Sequence, residues 1–420
     1  VKTLLKNSLR SRLWLIFAGA FFLRLLIILV TAWNRGPHFE NFAIAENIVN
    51  GLGYSWDWDG ILKVQPTALL PPIYTYFLVI FLYLFDDPSR WIYIAQALLN
   101  SLGIFPAFGI GKQLKDEKTG VWAASLYAFF PEIAVSPTKM ISEPLFIPGI
   151  LLGIWLYRSL ADNRRNGLGW RPFFLFGLYL GVLTLIKTTG TLLLAACIIC
   201  LLLKNRFSRT SLNTSLLILS GFIVAISPWS ARNIIVMRAP IILGSNLGYN
   251  LWRGNHPWSK GTEFLNPYQT SEAKLPPEYK QYLQKNYPDT EVKLDLFFRN
   301  EAVRFIKENP QRYLSLVLKR ALYFFTYDPT HPLTRNFAYL GGYLFVVIFG
   351  IWGGILAGKN KTFDCIFIIA PLLPFLFYIP LVMVPRFRIV MILVLLMLSS
   401  LSISSIIDSG IFKRRLADNR

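Results

Sequence analysis

The sequence predicts an all-α polytopic membrane protein with about ten transmembrane spans, and three observations carry that prediction. Of 420 residues, 54% are hydrophobic and only 16% charged, against roughly 25% charged in an ordinary soluble domain. Apolar runs of about 17–22 residues recur along the whole length, which is what a helix needs to cross a bilayer. The net charge of +20 sits mostly in short loops between those runs: Lys2, Lys6, Arg10 and Arg12; Lys112, Lys115 and Lys118; Arg164, Arg165 and Arg171; Lys204, Arg206 and Arg209; Lys359 and Lys361; and Lys413, Arg414, Arg415 and Arg420. That distribution is the positive-inside pattern of cytoplasmic loops. It argues against nucleic-acid binding, which a basic stripe on one face would suggest.

Placing each basic loop inside orders the spans. The first, Leu13–Trp33, runs outward; it is too long, and too poorly followed by a small-residue cleavage site, to be a removable signal peptide. Trp91–Gly111 returns, Gly120–Val135 runs outward and Leu145–Leu160 returns. Phe173–Ile186 and Thr189–Leu203 form an out-and-back pair, and Leu212–Trp229 runs outward. After a long polar segment come Phe337–Ala357 inward, Cys365–Val384 outward and Ile389–Ile407 inward, leaving both termini cytoplasmic. The run Leu70–Phe85 does not fit as a span, because counting it would move two basic loops outside. It is expected to lie in or re-enter the outer interface. Pro71 and Pro72 suit a first helical turn, and Tyr74, Tyr76 and Tyr83 suit the interface.

Three segments follow. Residues 1–229 are a transmembrane core with a first exterior loop at 34–90. Residues 230–335 are an exterior polar segment with amphipathic helices expected over Glu291–Asn309, stopped by Pro310, and Gln311–Phe325. Residues 336–420 are the C-terminal spans. The cysteines, Cys197, Cys200 and Cys365, all fall in apolar runs. The Cys-x-x-Cys pair has no second pair and no nearby His, so it reads as small residues packing between helices rather than as zinc ligands. No disulfide is expected.

Ionisable groups near membrane depth are costly and point to function. Glu40 lies just beyond the first span and opens a helix ended by Gly51-Leu52-Gly53-Tyr54. Glu143, in Ser-Glu-Pro, lies at the outer end of the fourth span; an acid there also suits a helix first turn. Two carboxylates at one outer face can bind a divalent cation or divide into a base and a helper. Asp57 and Asp59, before Gly60, read as a turn; His38, His256 and His331 read as loop histidines. Cations stand on the same face against the usual charge bias: Lys139, Lys187, Arg232, Arg253, Arg386 and Arg388. A substrate phosphate would account for them; snorkelling to outer headgroups is the alternative. Arg24, in the middle of the first span, calls for a partner inside the bundle.

Taken in order, these features resemble the GT-C superfamily of membrane glycosyltransferases, in the branch of the protein mannosyltransferases and the lipid A aminoarabinose transferase. The resemblance rests on the first-loop acid and its helix (Glu40 to Tyr54), Pro71-Pro72-x-Tyr74, the Ser-Glu-Pro at Glu143, Ser227-Pro228-Trp229 with Arg232-Asn233, and Arg386-Phe387-Arg388. Many relatives carry an Asp-Glu pair where this chain reads Phe39-Glu40. The resemblance implies a GT-C-type helical bundle with exterior interfacial helices, in a bacterial inner membrane with its site on the periplasmic side. It implies transfer of a sugar, with inversion, from a polyprenyl-phosphate donor to a hydroxyl of a lipid, glycan or protein acceptor. Glu40 is then the base and Glu143 its partner. Arg386, Arg388, Lys187 and Lys139 bind the donor phosphate, and Tyr74, Arg253 and His256 contact the acceptor or the loops. A divalent metal held by Glu40 and Glu143 is the one cofactor to consider. Two other readings are a lipid-linked glycan flippase or transporter and an O-antigen polymerase or ligase.

Overall fold

The computed structural model describes residues 2–35, 39–58, 60–163, 169–262, 289–326, 328 and 336–409. His38, Asp59, Arg164, Arg165, His331 and the basic stretch 413–420 lie outside these residues, as does much of the polar segment. Helix follows helix along the chain: α1 (Lys2–Thr31), α2 (Glu40–Val49), α3 (Pro72–Leu84), α4 (Pro88–Ser101), α5 (Ile104–Leu114), α6 (Glu117–Phe129), α7 (Pro131–Val135), α8 (Glu143–Asn163), α9 (Trp170–Ile186), α10 (Gly190–Lys204) and α11 (Arg209–Met237). The polar segment contributes α12 (Leu247–Gly254), α13 (Glu291–Glu308) and α14 (Pro310–Phe325), and the bundle closes with α15 (Phe337–Lys359), α16 (Ile366–Tyr378) and α17 (Ile389–Asp408). One short antiparallel pair, β1 (Ser55–Trp56) with β2 (Gln65–Pro66), braces the first exterior loop.

The chain is an integral membrane protein by its helices. Six stretches are long and apolar enough to cross: Ser11–Thr31, Pro88–Leu114, Glu143–Asp162, Arg209–Met237, Phe337–Lys359 and Pro385–Asp408. Three further expected spans appear as shorter apolar helices, α9, α10 and α16. The expected span Gly120–Val135 is instead helix α6 up to Phe129, then α7 and a 3-10 turn over Ser136–Thr138. Pro131 at the start of α7 explains the break, since a proline disfavours helical backbone in the residue before it. Helix α11 runs eight residues past the expected boundary at 229, with Pro228 inside it. Helix α3 starts with Pro72 at its first turn. Its 13 residues span about 20 Å at 1.5 Å per residue, short of the roughly 30 Å hydrocarbon core, and it packs against α2 and α4.

Burial sorts the helices. Within the apolar stretch ending α17, 72% of the residues are buried, against 17% in α1; α17 is therefore the central post and α1 a peripheral one, with side chains such as Leu15 and Val30 left facing outward. Small residues bring backbones together. A Cβ on Gly177 of α9 would come within 2.0 Å of the Ile218 carbonyl oxygen on α11, and one on Gly221 within 2.1 Å of the Phe174 carbonyl oxygen. This is the small-residue packing that membrane helices use in place of hydrophobic association.

Arg24 finds its partners inside the bundle. It is fully buried; Nε donates to Asn100 Oδ1 at 2.8 Å, and Nη1 donates to the carbonyls of Ala20 and Ala128 at 3.0 Å. It thus joins α1, α4 and α6 through polar partners.

In the polar segment, Glu291 opens α13 behind a Thr290 cap. Its buried carboxylate accepts from Trp58 Nε1 at 2.9 Å, from the Ala68 amide at 2.8 Å, and from the Thr67 and Ser245 hydroxyls. Phe298 sits between Tyr249 and Trp252 of α12, with ring centroids 5.2 Å and 5.1 Å away. Arg320 of α14, fully buried, donates to the carbonyls of Ile379 and Gly254 and to Asn255 Oδ1 at 2.7–2.8 Å. Helices α13 and α14 are therefore tied to the loop between α2 and α3 at one end and to the turn after α16 at the other.

Candidate active site

The ends of three helices deliver the central cluster. Glu143 opens α8, Lys187 follows the last residue of α9, and Arg386 lies in the 3-10 turn Pro385–Arg388 ahead of α17. Glu143 is buried. Lys187 Nζ donates to its Oε1, and Arg386 Nε stands 4.0 Å from the same oxygen. Desolvation lowers the Lys187 ammonium from its ordinary value; Glu143 pushes it back up, and Arg386 adds to the lowering. Lys139 is the fourth member. Its surroundings also lower its ammonium through desolvation, with Arg386 next, while Glu143 and then Glu132 oppose and Arg35 adds to the lowering.

Two amides on α4, one helical turn apart, position the loop carrying Lys139 and Glu143. Gln96 Nε2 donates to the carbonyls of Pro137 (3.0 Å) and Lys139 (3.1 Å), and Asn100 Nδ2 donates to the Pro144 carbonyl at 3.1 Å. Each amide is itself held: Tyr74 OH donates to Gln96 Oε1 at 2.5 Å, and Arg24 to Asn100. Sequence reading passed over Gln96, Asn100, Glu132 and Arg35. The first two had a signal, polar residues four apart in an apolar run, which places them on one helix face. Glu132 was absorbed into an expected span, and the break at Pro131 is what frees it.

Several expectations change. Arg388 was expected on the donor phosphate, but it is 1% exposed. Its guanidinium donates to the carbonyls of Tyr323 and Thr326 and to Tyr339 OH, and lies 4.2 Å from the Tyr343 ring centroid. With those donors engaged, Arg388 is a brace between α14, α15 and α17. Tyr74 was expected at an acceptor, but it is fully buried with its hydroxyl on Gln96. Arg253 lies over the Tyr249 ring at 5.5 Å, and His256 stacks on Trp252 with centroids 4.8 Å apart; both belong to the aromatic stack around α12. Burial holds the His256 imidazole down to about 4; a hydrogen bond it donates to the Arg253 backbone carbonyl opposes this, and Arg312 adds to the lowering.

Glu40 heads α2, half-buried. The residue before it, Phe39, has φ 87° and ψ 151°, a region that is essentially glycine-only and that clusters at functional sites. Helix α2 leans on α3, where Thr75 OH donates to Asn41 Oδ1 at 3.1 Å, and it stops at Gly51 and Gly53, both with positive φ. Glu143 is the weaker half of the expected metal pair. An ammonium donates to its Oε1 and a guanidinium stands beside it, so its charge is already balanced and a divalent cation would meet like charge. The residues do not fit a Glu40–Glu143 metal site.

The cysteines expected to pack between helices lie at the opposite end of α10 from Lys187, where the ligand atoms of Cys200, Cys365 and Asp364 are within 4.8 Å of one another.

Residues 70–231, less than half of the chain, match the model of the family described as dolichyl-phosphate-mannose-protein mannosyltransferase. No curated protein matches the chain in sequence. In structure it is similar to the Archaeoglobus fulgidus oligosaccharyltransferase in the apo form, at 15% identity and a TM-score of 0.58, covering 98% of this chain and 52% of that one. It is likewise similar to the same organism's oligosaccharyltransferase AglB in complex with an inhibitory peptide and a dolichol-phosphate, at 14% identity and a TM-score of 0.58, covering 99% and 52%. A third form, in complex with Zn and sulfate, matches at 15% identity and a TM-score of 0.54, covering 94% and 50%. The chain spans about half the length of these structures. The likeness establishes a GT-C-type fold.

Proposed function

We propose that this GT-C-type chain is a glycosyltransferase that moves a sugar from a polyprenyl-phosphate carrier to an acceptor hydroxyl at the exterior face, with inversion. The observation that carries the reading is the cation cluster of Lys187, Arg386 and Lys139 around one buried carboxylate, on the face where positive-inside topology would place few cations. The family match over 70–231 includes Lys139, Glu143 and Lys187, and a GT-C-type structure that holds dolichol-phosphate shares the fold.

The chemistry follows from charge. The acceptor oxygen attacks C1 of the sugar while a base takes its proton. The C1–O bond to phosphate breaks through an oxocarbenium-like transition state, and one displacement inverts the centre. The leaving lipid phosphate takes the C1–O electron pair and gains a negative charge, so it needs cations rather than a proton donor. Arg386, Lys187 and Lys139 supply them, and Glu143 holds two of the three in place while keeping them charged. Glu40 is the base, on a helix held against α3 and preceded by a strained residue. The acceptor is a hydroxyl of a lipid, glycan or protein, and the membrane is the bacterial inner membrane.

The test is transfer or hydrolysis of a radiolabelled polyprenyl-phosphate sugar by the purified chain in detergent. Wild type is expected to release sugar from lipid, and Glu40→Gln to lose on the order of 10²–10⁴ of the rate with donor binding retained. Movement of intact lipid-linked sugar across vesicles without cleavage would instead support a flippase. Cleavage unaffected by Glu40→Gln would point to a polymerase- or ligase-type site built on arginines.

A further inference from the structure

We propose that Cys200, Cys365 and Asp364 form a binding site for a soft divalent cation of the zinc class, separate from the sugar-transfer site. Helix α10 begins beside Lys187 and ends at Lys204. Ten residues separate Gly190 from Cys200, which places the cysteine about 15 Å farther along the axis. The basic loops mark that end as the cytoplasmic one. There Cys365 precedes α16 and Asp364 caps it, with Asp364 Oδ1 accepting from the Ile366 amide at 3.1 Å.

Three features select a metal over simple packing. The two sulfurs and a carboxylate oxygen all lie within 4.8 Å of one another. In a tetrahedral site with metal–sulfur bonds of about 2.3 Å, ligand atoms stand about 3.8 Å apart, so closure needs a contraction of about 1 Å or less. The donor set is thiolate plus carboxylate, a combination zinc accepts and hard cations such as magnesium do not favour. Charge also fits. Binding releases two thiol protons and sets three anionic ligands around a dication, giving a net single negative charge that Lys204 Nζ, 3.3 Å from Asp364 Oδ2, offsets. The fourth tetrahedral position is left to water. Cys200 is fully buried, whereas Cys365 is partly accessible, which gives the ion a way in. A reducing cytoplasm keeps the thiols from pairing with each other.

The full chain, purified in detergent with a non-thiol reductant, is titrated with cobalt(II). The expected result is a near-ultraviolet thiolate-to-cobalt charge-transfer band that saturates at one cobalt per chain and is displaced by zinc. The band should vanish in C200S and C365S, and D364N should weaken cobalt binding at least tenfold. The metal content of wild type as isolated is a second measure that does not depend on how these variants fold, with about one zinc per chain expected. Three results would each overturn the site: no charge-transfer band, a band that survives in the C200S/C365S double variant, or a Cys200–Cys365 disulfide recovered in place of bound metal.

Discussion

Two arginines two residues apart illustrate how burial divides roles that sequence cannot. Arg386 faces Glu143 in the cation cluster, while Arg388 is sealed among Tyr339, Tyr343 and the carbonyls at the end of α14. Arg386→Ala is expected to cost about 2.7–4 kcal/mol of transition-state stabilisation, roughly 10²–10³ in turnover, without moving the melting temperature in detergent. Arg386→Lys should recover only part of that, since an ammonium cannot hold phosphate by two parallel bonds. Arg388→Ala should do the reverse and lower stability by about 1.5–3 kcal/mol or more, the value of hydrogen bonds made by a charged group, as read by thermal unfolding. His256 adds a pH dependence. Its folded value of about 4 lies below the ordinary 6.5, so the unfolded chain binds the extra proton between those values and stability falls as pH drops from about 6.5 toward 4. Above pH 6.5 the effect is absent. His256→Gln should flatten the melting-temperature profile in that window, and an unchanged slope would assign it to other groups. The cluster's cations were singled out in the sequence because they break the charge bias of the expected topology; Arg388's different role was not legible, because it depends on which side of a four-residue turn meets α15.

At the level of elements, Glu291 joins pieces of chain that the sequence shows no reason to connect. In sequence it reads as a first-turn acid on an amphipathic helix, and the helix Glu291–Glu308 is indeed where periodicity and Pro310 place it. What could not be read is that its carboxylate takes four hydrogen bonds from Trp58, Thr67, Ala68 and Ser245, since long-range partners leave no local pattern. Glu291→Ala leaves those donors buried without an acceptor, at about 1–3 kcal/mol for each one left unmet. The exterior helices should then detach from the first loop. Limited proteolysis is expected to cut within 230–335 much faster than in wild type, with the membrane helices left intact; equal cutting rates would show that the aromatic stack around Phe298 holds the segment alone. The break at Pro131 was missed for the opposite reason: hydropathy runs smoothly through it.

For the whole molecule, the direction of every helix rests on which side the basic loops occupy. Lys115 pairs with Asp408 at the end of α17, so the α5–α6 turn and the last helix share a face. A cysteine placed at Lys115 should resist a membrane-impermeant reagent in intact cells, and one at Lys260 should react; labelling at Lys115 would mean that α3 crosses and that the topology inverts beyond it. The helical architecture was legible because bilayer thickness and charge bias act on sequence directly, whereas the direct pairing of Lys187 and Arg386 with Glu143 was not, since it joins three helix ends more than 40 residues apart. The Glu291 tie also sets a timetable. The 233 residues between Trp58 and Glu291 take roughly 10–50 s to synthesise at 5–20 residues per second. Through that interval the first loop's donors wait in water for a carboxylate not yet made, and Arg386 arrives later still. A nascent chain therefore makes its helices up to α11 while the Glu291 tie is still missing, and the cluster around Glu143 is completed only once Arg386 has followed.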